Sequence, residues 1–287
     1  MPREIKDATT VHEQMEKLKS RGCIILDEDF CCSKLASINY YRLTAYFLPF
    51  RISDDKYREG TSFLKVYQIY EFDRKLRNVV FSAIEEIEIY LRSQFSYYYA
   101  HKYGPIGYLN ATNFSGKHDH NKFLENIDRE IESNNKVLFV RHHKDNYNGV
   151  FPIWVISELF TFGMLSYFYG DMKTPDKKAL ASYLYGTTYK NLTSWLRCCT
   201  DMRNICAHYG RLYYRIFSAL PAGFILLESE KRRLWGQMLT VRVLYPDAEK
   251  WNREVMPALE LLFDEYHEDI DFYHMAFPKD WLVQLKK

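Results

Sequence analysis

Three side chains that could act on a phosphodiester lie in one short run of the chain, where Arg203 and Asn204 are followed by His208. An imidazole, whose ordinary pKa is about 6.5, can take a proton from a ribose 2′-hydroxyl or give one to a departing 5′-oxygen near neutral pH. A guanidinium stays charged and can hold a phosphate through two parallel hydrogen bonds. An amide one turn away can orient the imidazole or bind substrate. The run therefore favours RNA cleavage, and this chemistry needs no metal ion.

A helix predicted over residues 189–209 sets the directions of these side chains. Asn204 and His208 lie one turn apart on the same helix face. At about 100° per residue, Arg203 points roughly 140° away from His208. Only its long side chain, or a second copy of the helix, could bring the guanidinium and the imidazole together. This geometry favours a site that two protomers share across a dimer.

Two other classes of function fit the same residues. A non-catalytic RNA-binding or antitoxin-like regulatory protein would use the same basic surface without cleaving RNA. In a purely structural interaction module, His208 would only cap a helix. This alternative is kept because a histidine near an arginine in a helix is commonly a structural hydrogen-bonding group. Cys206 lies inside the run, but the role of a small buried filler fits it better than that of a thiol nucleophile.

The motif is similar to one found in a known group of proteins. Residues 203–208 match the pattern of the HEPN superfamily, in which a histidine follows an arginine after a few residues and an asparagine commonly follows the arginine directly. The continuation over 207–215 resembles the Abi-like, or abortive infection, branch of that superfamily. Further segments that resemble signatures of the branch are Ile38 to Tyr46, Pro152 to Leu159 with Phe162 and Gly163, and Ala276 to Trp281.

The resemblance implies an all-helical, dimeric ribonuclease of phage defence that works without a metal or cofactor. Arg203, Asn204 and His208 would carry catalysis by attack of the 2′-hydroxyl, which leaves a 2′,3′-cyclic phosphate. Unchecked cleavage would harm the host, so a regulatory RNA or an antitoxin partner is expected beside the RNA substrate. The chain departs from the pattern at Tyr213 and Tyr214, where many relatives carry Trp-Asn before the second arginine.

Positive charge is concentrated around this motif. The whole chain has a net charge of only +2, which does not mark a general nucleic-acid binder, but residues 173–253 hold 14 Lys and Arg against 6 Asp and Glu. We expect this block to attract a phosphate backbone. Arg211, Arg215 and Tyr209 are the predicted RNA-binding residues within it. The run from Lys231 to Arg233 fits the solvated face of a helix equally well.

Cysteine usage and the charged opening segment favour the cytoplasm. The six cysteines include no Cys-x-x-Cys, so neither a disulfide framework nor a zinc site is indicated. Residues 1–6 do not open a signal peptide, because no apolar core follows their charges. The most apolar stretch, 151–170, contains Glu158 near its centre, and a carboxylate there costs roughly 3 kcal/mol on membrane insertion. A buried helix with one functional or paired glutamate is predicted instead of a membrane span.

Helical periodicity through most of the chain predicts an all-α fold, a HEPN-like helical bundle with a small N-terminal helical appendage. The polar stretch at 53–60 ends in a turn signal and is the predicted boundary. It divides the chain into the appendage, 1–58, and the bundle that carries the motif, 59–287. The predicted helices cover about 10–21, 29–37, 62–103, 119–134, 136–146, 152–170, 175–185, 189–209, 228–245 and 248–268.

The longest predicted helix, over 62–103, has a polar face that allows two interpretations. Its charges could form solvated pairs that each contribute a few tenths of a kcal/mol. Alternatively, Glu88 or Arg92, or Glu158 from elsewhere, could pack behind the catalytic candidates and orient them. The residues predicted to form the buried stripe are Leu76, Val80, Ala83, Ile87, Leu91 and Phe95, and the charges on the other faces are Asp73, Arg77, Glu85, Glu88 and Arg92.

Overall fold

A computed structural model describes residues 7–287, and within them the fold is all-α apart from one short hairpin. The prediction of an all-α fold is confirmed. Residues 1–6, for which the sequence predicts no signal peptide, lie outside the described residues.

The helices follow the predicted periodic segments, with some short ones between them. In chain order they are α1 (Val11–Ser20), α2 (Glu28–Ser37), α3 (Tyr40–Thr44), α4 (Phe63–Tyr103), α5 (His120–Ser133), α6 (Leu138–Asn146), α7 (Ile153–Ile156), α8 (Phe162–Asp171), α9 (Thr174–Tyr185), α10 (Tyr189–Ala207), α11 (Glu228–Lys231), α12 (Leu234–Leu244), α13 (Ala248–Lys250), α14 (Met256–Glu265) and α15 (Trp281–Leu285). Short 3₁₀ turns occupy Ala45–Phe50, Gly107–Leu109, Ala111–Asn113, Ser157–Leu159 and Phe272–Met275, and a π turn spans Trp251–Val255. Strands β1 (Arg51–Ser53) and β2 (Lys56–Tyr57) pair antiparallel.

Helix α4 is the central element of the bundle. The side chain of Ser62 caps its first turn by accepting a hydrogen bond from the Lys65 N–H at 3.1 Å. The helix ends at Gly104, whose φ of 81° is a backbone angle that glycine adopts readily and other residues rarely adopt. Every residue of the predicted stripe from Leu76 to Phe95 is buried, and α4 packs against α7, α8, α10 and α14. The helix thus forms the platform on which the motif helix lies.

Helix α10 carries the motif and is fixed at both ends by local interactions. The Thr188 hydroxyl accepts a hydrogen bond from the Asn191 N–H at 3.2 Å and starts the helix. The buried face, which includes Leu192, Leu196 and Met202, lies in the core, and the helix packs against α4, α8 and α12. The last turn of α10 therefore lies against α4, with Arg203 beside Glu88 and Phe81.

The predicted buried helix over 151–170 is wrong as a single element. The chain forms α7, then the 3₁₀ turn at Ser157–Leu159, and after the extended residue Phe160 it forms α8. Thr161 restarts the helix because its hydroxyl accepts a hydrogen bond from a backbone N–H of the first turn at 3.2 Å. Glu158, on the 3₁₀ turn, is exposed instead of buried. Nowhere in residues 7–287 does a helix combine the length and the apolarity needed to cross a bilayer.

The predicted helix over 228–245 is also divided, into α11 and α12. Arg233 adopts an extended backbone between them, with φ −108° and ψ 175°. The two helices approach so closely that a Cβ on Gly236 would lie 2.9 Å from the Cα of Lys231. Only a glycine fits this contact without a shift of the backbone.

One core cluster runs through the described residues. Leu18, Leu35 and Phe47 from the N-terminal segment are buried in the same cluster as Val66 of α4 and Leu259 of α14. The hairpin of β1 and β2 overlaps the stretch where the boundary is predicted. The division at residue 58 stays a prediction.

Candidate functional site

The motif helix ends just before the histidine. The His208 N–H donates to the Asn204 carbonyl at 3.0 Å, and the Gly210 N–H donates to the Ile205 carbonyl at 2.7 Å. Tyr209 between them has a left-handed backbone, with φ 56°. The predicted helix end at 209 is therefore two residues too late, and Tyr209 takes the left-handed position that reverses the chain.

Gly210 is needed at this turn because there is little room for a Cβ atom. A Cβ there would lie 3.0 Å from the Ile205 Cγ2 and 3.2 Å from the Ile205 carbonyl oxygen. The turn therefore brings the chain back tightly against its own helix. His208 is left at the very end of α10.

The side chains of His208, Asn204 and Tyr209 all face solvent. Each is exposed, and within residues 7–287 none of the three makes a side-chain hydrogen bond by which the fold would hold it. These side chains are therefore available to a ligand. His208 follows the last residue of α10, and its N–H bond to the Asn204 carbonyl keeps the two residues one turn apart. Their catalytic roles stay a prediction.

Arg203 lies on a different face and is held against α4. Its Nε lies 3.8 Å from the Glu88 Oε2, and its guanidinium lies 5.9 Å from the centre of the Phe81 ring. The Nε itself is buried and has no hydrogen-bond partner within the described residues. A carboxylate and an aromatic face thus fix the direction of this guanidinium, while about a third of the side chain, 31%, is exposed.

A chain of charges continues from Arg203 along α4. The Glu88 Oε1 accepts a hydrogen bond from the Arg92 Nη2 at 2.8 Å, and the Arg92 Nη1 lies 3.4 Å from a carboxylate oxygen of Glu158. Arg92 also donates to the Phe160 carbonyl at 3.0 Å. Burial raises the pKa of Glu88, and the nearby Arg92 and Arg203 oppose that rise. Of the three residues predicted to pack behind the motif, Glu88 lies beside Arg203, Arg92 contacts Glu88, and Glu158 is connected to them through Arg92.

The predicted RNA-binding arginines have partners inside the protein. Arg211 donates to the Ala45 carbonyl and lies 5.9 Å from the Tyr46 ring centre. Burial lowers the pKa of this guanidinium. Arg215 is half-buried and donates to the Arg211 carbonyl at 3.3 Å. Both arginines brace the loop that follows the motif, and RNA binding by Arg211, Arg215 and exposed Tyr209 stays a prediction.

A fully buried carboxylate ties this loop to α4. Asp73 accepts hydrogen bonds from the Arg77 Nη1 and the Tyr46 hydroxyl, each at 2.6 Å. It also accepts from the backbone N–H groups of Leu212, at 3.1 Å, and Tyr213, at 2.7 Å. The interpretation of Asp73 and Arg77 as a solvated pair is wrong, because the two side chains are 0% and 5% exposed. Their spacing of four residues predicts the ion pair but not its burial.

A groove of about 670 Å³ lies beside the end of α10. Its walls come from the segment 37–42, from α4 between Tyr70 and Phe81, and from Ala207 and Tyr209, the two neighbours of His208. Phe81 is also the ring beneath Arg203. The wall therefore contains the chain neighbours of His208 and the ring beneath Arg203, but neither His208 nor Arg203 itself.

Sequence reasoning missed the residues that give this groove its polarity. Arg42, Arg74 and Asn78 line it from two elements far from the motif in sequence. The single signal was that Arg42 belongs to the segment Ile38 to Tyr46, which resembles a family signature.

The thiol inside the motif is buried. Burial raises the pKa of Cys206 to about 12. A thiol with this pKa stays protonated near neutral pH and is a poor nucleophile. The buried surroundings of Cys206 therefore favour the role of a core filler. Among residues 7–287, no three His, Cys, Asp or Glu side chains converge in a way that could hold a metal ion.

A comparison with protein families shows the family of this chain. The profile of the family described as "Abi-like protein" matches residues 33–214. This range includes the motif and the resembling segments that begin at Ile38 and Pro152, but not the segment that begins at Ala276. No curated protein and no solved structure shows significant similarity to the chain.

Proposed function

Because this chain belongs to the family of Abi-like proteins, we propose that it is a metal-independent endoribonuclease of an abortive-infection or toxin-type system. The observation that carries the proposal is the groove at the end of α10. Exposed His208 stands between two of its wall residues, and the Phe81 ring that supports Arg203 forms another part of the wall. The groove thus offers a polynucleotide a place next to both motif side chains, although neither His208 nor Arg203 is itself a wall residue.

The proposed reaction is an internal transfer of the phosphoryl group. The ribose 2′-oxygen attacks phosphorus while its proton passes to an imidazole, and the bond from phosphorus to the 5′-oxygen breaks. The departing 5′-oxygen takes a proton from an acid, which gives a 5′-hydroxyl end and a 2′,3′-cyclic phosphate end. Arg203 would hold the non-bridging oxygens and offset their charge in the transition state. Asn204, one turn from His208, would position the ribose or the imidazole.

A dimer would complete this site. The reaction needs one group that accepts a proton and one that donates a proton, and the motif of each chain offers one imidazole, that of His208. A second copy of α10 could supply the other imidazole and bring its own Arg203 close to the first His208. We therefore propose a homodimer with a composite site.

The proposal is tested with purified protein and with cells. We expect His208→Ala and Arg203→Ala to abolish RNA cleavage and growth arrest, since each removes a group that touches the reacting phosphate. Because His208 is exposed and makes no side-chain hydrogen bond within residues 7–287, its variant should keep the wild-type circular-dichroism spectrum and dimer. The matched control is His12→Ala, which removes an exposed histidine from α1.

The measurement is the chemistry of the new RNA ends, mapped with and without EDTA. Cyclic phosphate ends that form in EDTA, and that vanish in both variants but not in the control, would support the proposal. Unchanged cleavage by both variants would remove it. RNA that is bound but never cut would favour the non-catalytic RNA-binding or antitoxin-like alternative.

A further inference from the structure

The groove beside His208 has an unbalanced set of polar side chains. It lies where the N-terminal segment 37–42 meets α4 and the end of α10. Three of its twelve wall residues are arginines and none is acidic. The acidic partners of two of these arginines, Asp73 and Glu71, lie outside the wall.

The three arginines differ in how much charge they offer to a ligand. Arg77 is buried and is neutralised by Asp73. Arg74 is 46% exposed and gives two of its donors to the Glu71 carboxylate, at 2.9 and 3.1 Å. Arg42 is exposed and gives one donor to the Tyr209 carbonyl at 2.6 Å. A guanidinium has five N–H donors, so Arg42 and Arg74 keep donors that can reach into the groove.

Amides and aromatic rings complete the wall. Asn78 is exposed, and so is Asn39. The side-chain Oδ1 of Asn39 accepts from the Tyr41 N–H at 2.8 Å, which leaves the side-chain Nδ2 free to donate. The rings of Tyr70 and Phe81 lie in the same wall. Charged forks hold phosphates, amides read the edges of bases, and aromatic faces stack on unpaired bases. Double-stranded RNA keeps its bases stacked inside the helix and does not offer these faces.

We propose that this groove binds single-stranded RNA next to the scissile phosphate. The N-terminal segment contributes Arg42 and Asn39, α4 contributes Arg74 and Asn78, and an unstacked base lies against the aromatic wall. The position next to the scissile bond rests on the proposed function, whereas the binding itself does not. The N-terminal segment is therefore a part of the substrate site as well as a support for it.

The test measures RNA binding without cleavage. A fluorescently labelled octaribonucleotide is titrated against the full-length His208→Ala protein at several salt concentrations. We expect Arg74→Gln in this background to raise the Kd about tenfold and to lower the slope of log K against log salt by about 0.7, the value of one phosphate contact on a single strand. Asn78→Ala should raise the Kd several-fold and leave the slope unchanged, because it removes no charge. Both residues are exposed, so neither change should unfold the protein.

Arg232→Gln in the same background is the matched control. Arg232 is 45% exposed and is paired with Glu228 one turn away at 3.0 Å, much as Arg74 is paired with Glu71, but it does not line the groove. Its variant should bind the octaribonucleotide as the parent does. Equal losses in Arg232→Gln and Arg74→Gln would show that binding follows overall charge and would overturn the proposal.

The other outcomes separate this proposal from the proposed function. If the wild type cleaves RNA but Arg74→Gln and Asn78→Ala keep the parent Kd and slope, the groove proposal is wrong and the enzyme proposal stands. If the wild type never cleaves but both variants lose affinity, the enzyme proposal fails and the groove is an RNA site. A mononucleotide that competes as strongly as the octaribonucleotide would assign the groove to a free nucleotide and overturn the assignment to a strand.

Discussion

Glu88 of α4 is a carboxylate whose charge is disfavoured by burial and favoured by the neighbouring Arg92 and Arg203. Its side chain is 14% exposed and lies beside Arg203, at a position where burial disfavours its negative charge. Because its folded-state pKa is raised above the ordinary 4.5, the folded protein prefers the neutral carboxyl. The stability that Glu88 contributes is thus fully present below pH 4.5 and is lost as the pH rises through the folded-state pKa. At neutral pH the Glu88 carboxylate orients the guanidinium of Arg203, whose Nε lies 3.8 Å away.

We predict that Glu88→Gln lowers RNA cleavage roughly ten- to a hundredfold, because the guanidinium of Arg203 loses the charge that orients it. The melting temperature at pH 7 should not fall, since the buried negative charge is also removed. Cleavage rates and melting curves measured from pH 5 to 8 check both parts. Glu85→Gln, an exposed change one turn earlier on α4, is the control. A variant that melts earlier and cleaves normally would show that Glu88 has only a structural role.

The loop after α10 is the element that fixes where the motif ends. Asp73 holds it through the N–H groups of Leu212 and Tyr213, and the Tyr213 hydroxyl lies 2.7 Å from the His274 Nδ1. Gly210 stands at the start of the loop, in contact with Ile205. Gly210 lies between His208 and Leu212, so we expect a backbone shift at Gly210 to displace both His208 and the loop that Asp73 holds.

We predict that Gly210→Ala destabilises the protein by about 1–3 kcal/mol, because the new methyl group overlaps the Ile205 side chain and carbonyl. Urea unfolding measures this change. Gly116→Ala is the matched control, since a Cβ there would meet nothing within 4 Å and its φ is ordinary. That variant should change stability by no more than about 1 kcal/mol, in the stabilising direction. Equal effects of the two substitutions would show that the contact with Ile205 is not tight.

At the scale of the whole molecule, the N-terminal segment and the bundle are joined by polar contacts as well as by the core. Tyr46 donates to Asp73, the Ala45 carbonyl accepts from Arg211, and Arg42 donates to the Tyr209 carbonyl. These contacts all converge on the loop after the motif. We infer that the segment and the bundle unfold together.

We predict that Tyr46→Phe lowers the stability of the entire protein by about 1–3 kcal/mol, because buried Asp73 loses one of its donors. Scanning calorimetry should show one transition in the wild type and one, at lower temperature, in the variant. Tyr41→Phe, at a position 86% exposed, should melt as the wild type does. Two separate transitions, of which only one moves, would mean that the N-terminal appendage is an independent unit.

The sequence alone determined the motif and most of the helices, though not the breaks near Phe160 and Arg233, because these features depend on residues close together in the chain. Ser62 and Thr188 cap the helices that their spacing predicts, and Asn204 and His208 share one face. Only the tertiary structure decided that Asp73 is buried, that Arg211 is held by Ala45, and that Arg42 reaches the motif across 167 positions. Such contacts depend on how α4, α10 and the N-terminal segment pack, and the free energy of that packing comes from apolar area buried by many distant residues at once. No local pattern of charge or spacing carries that information.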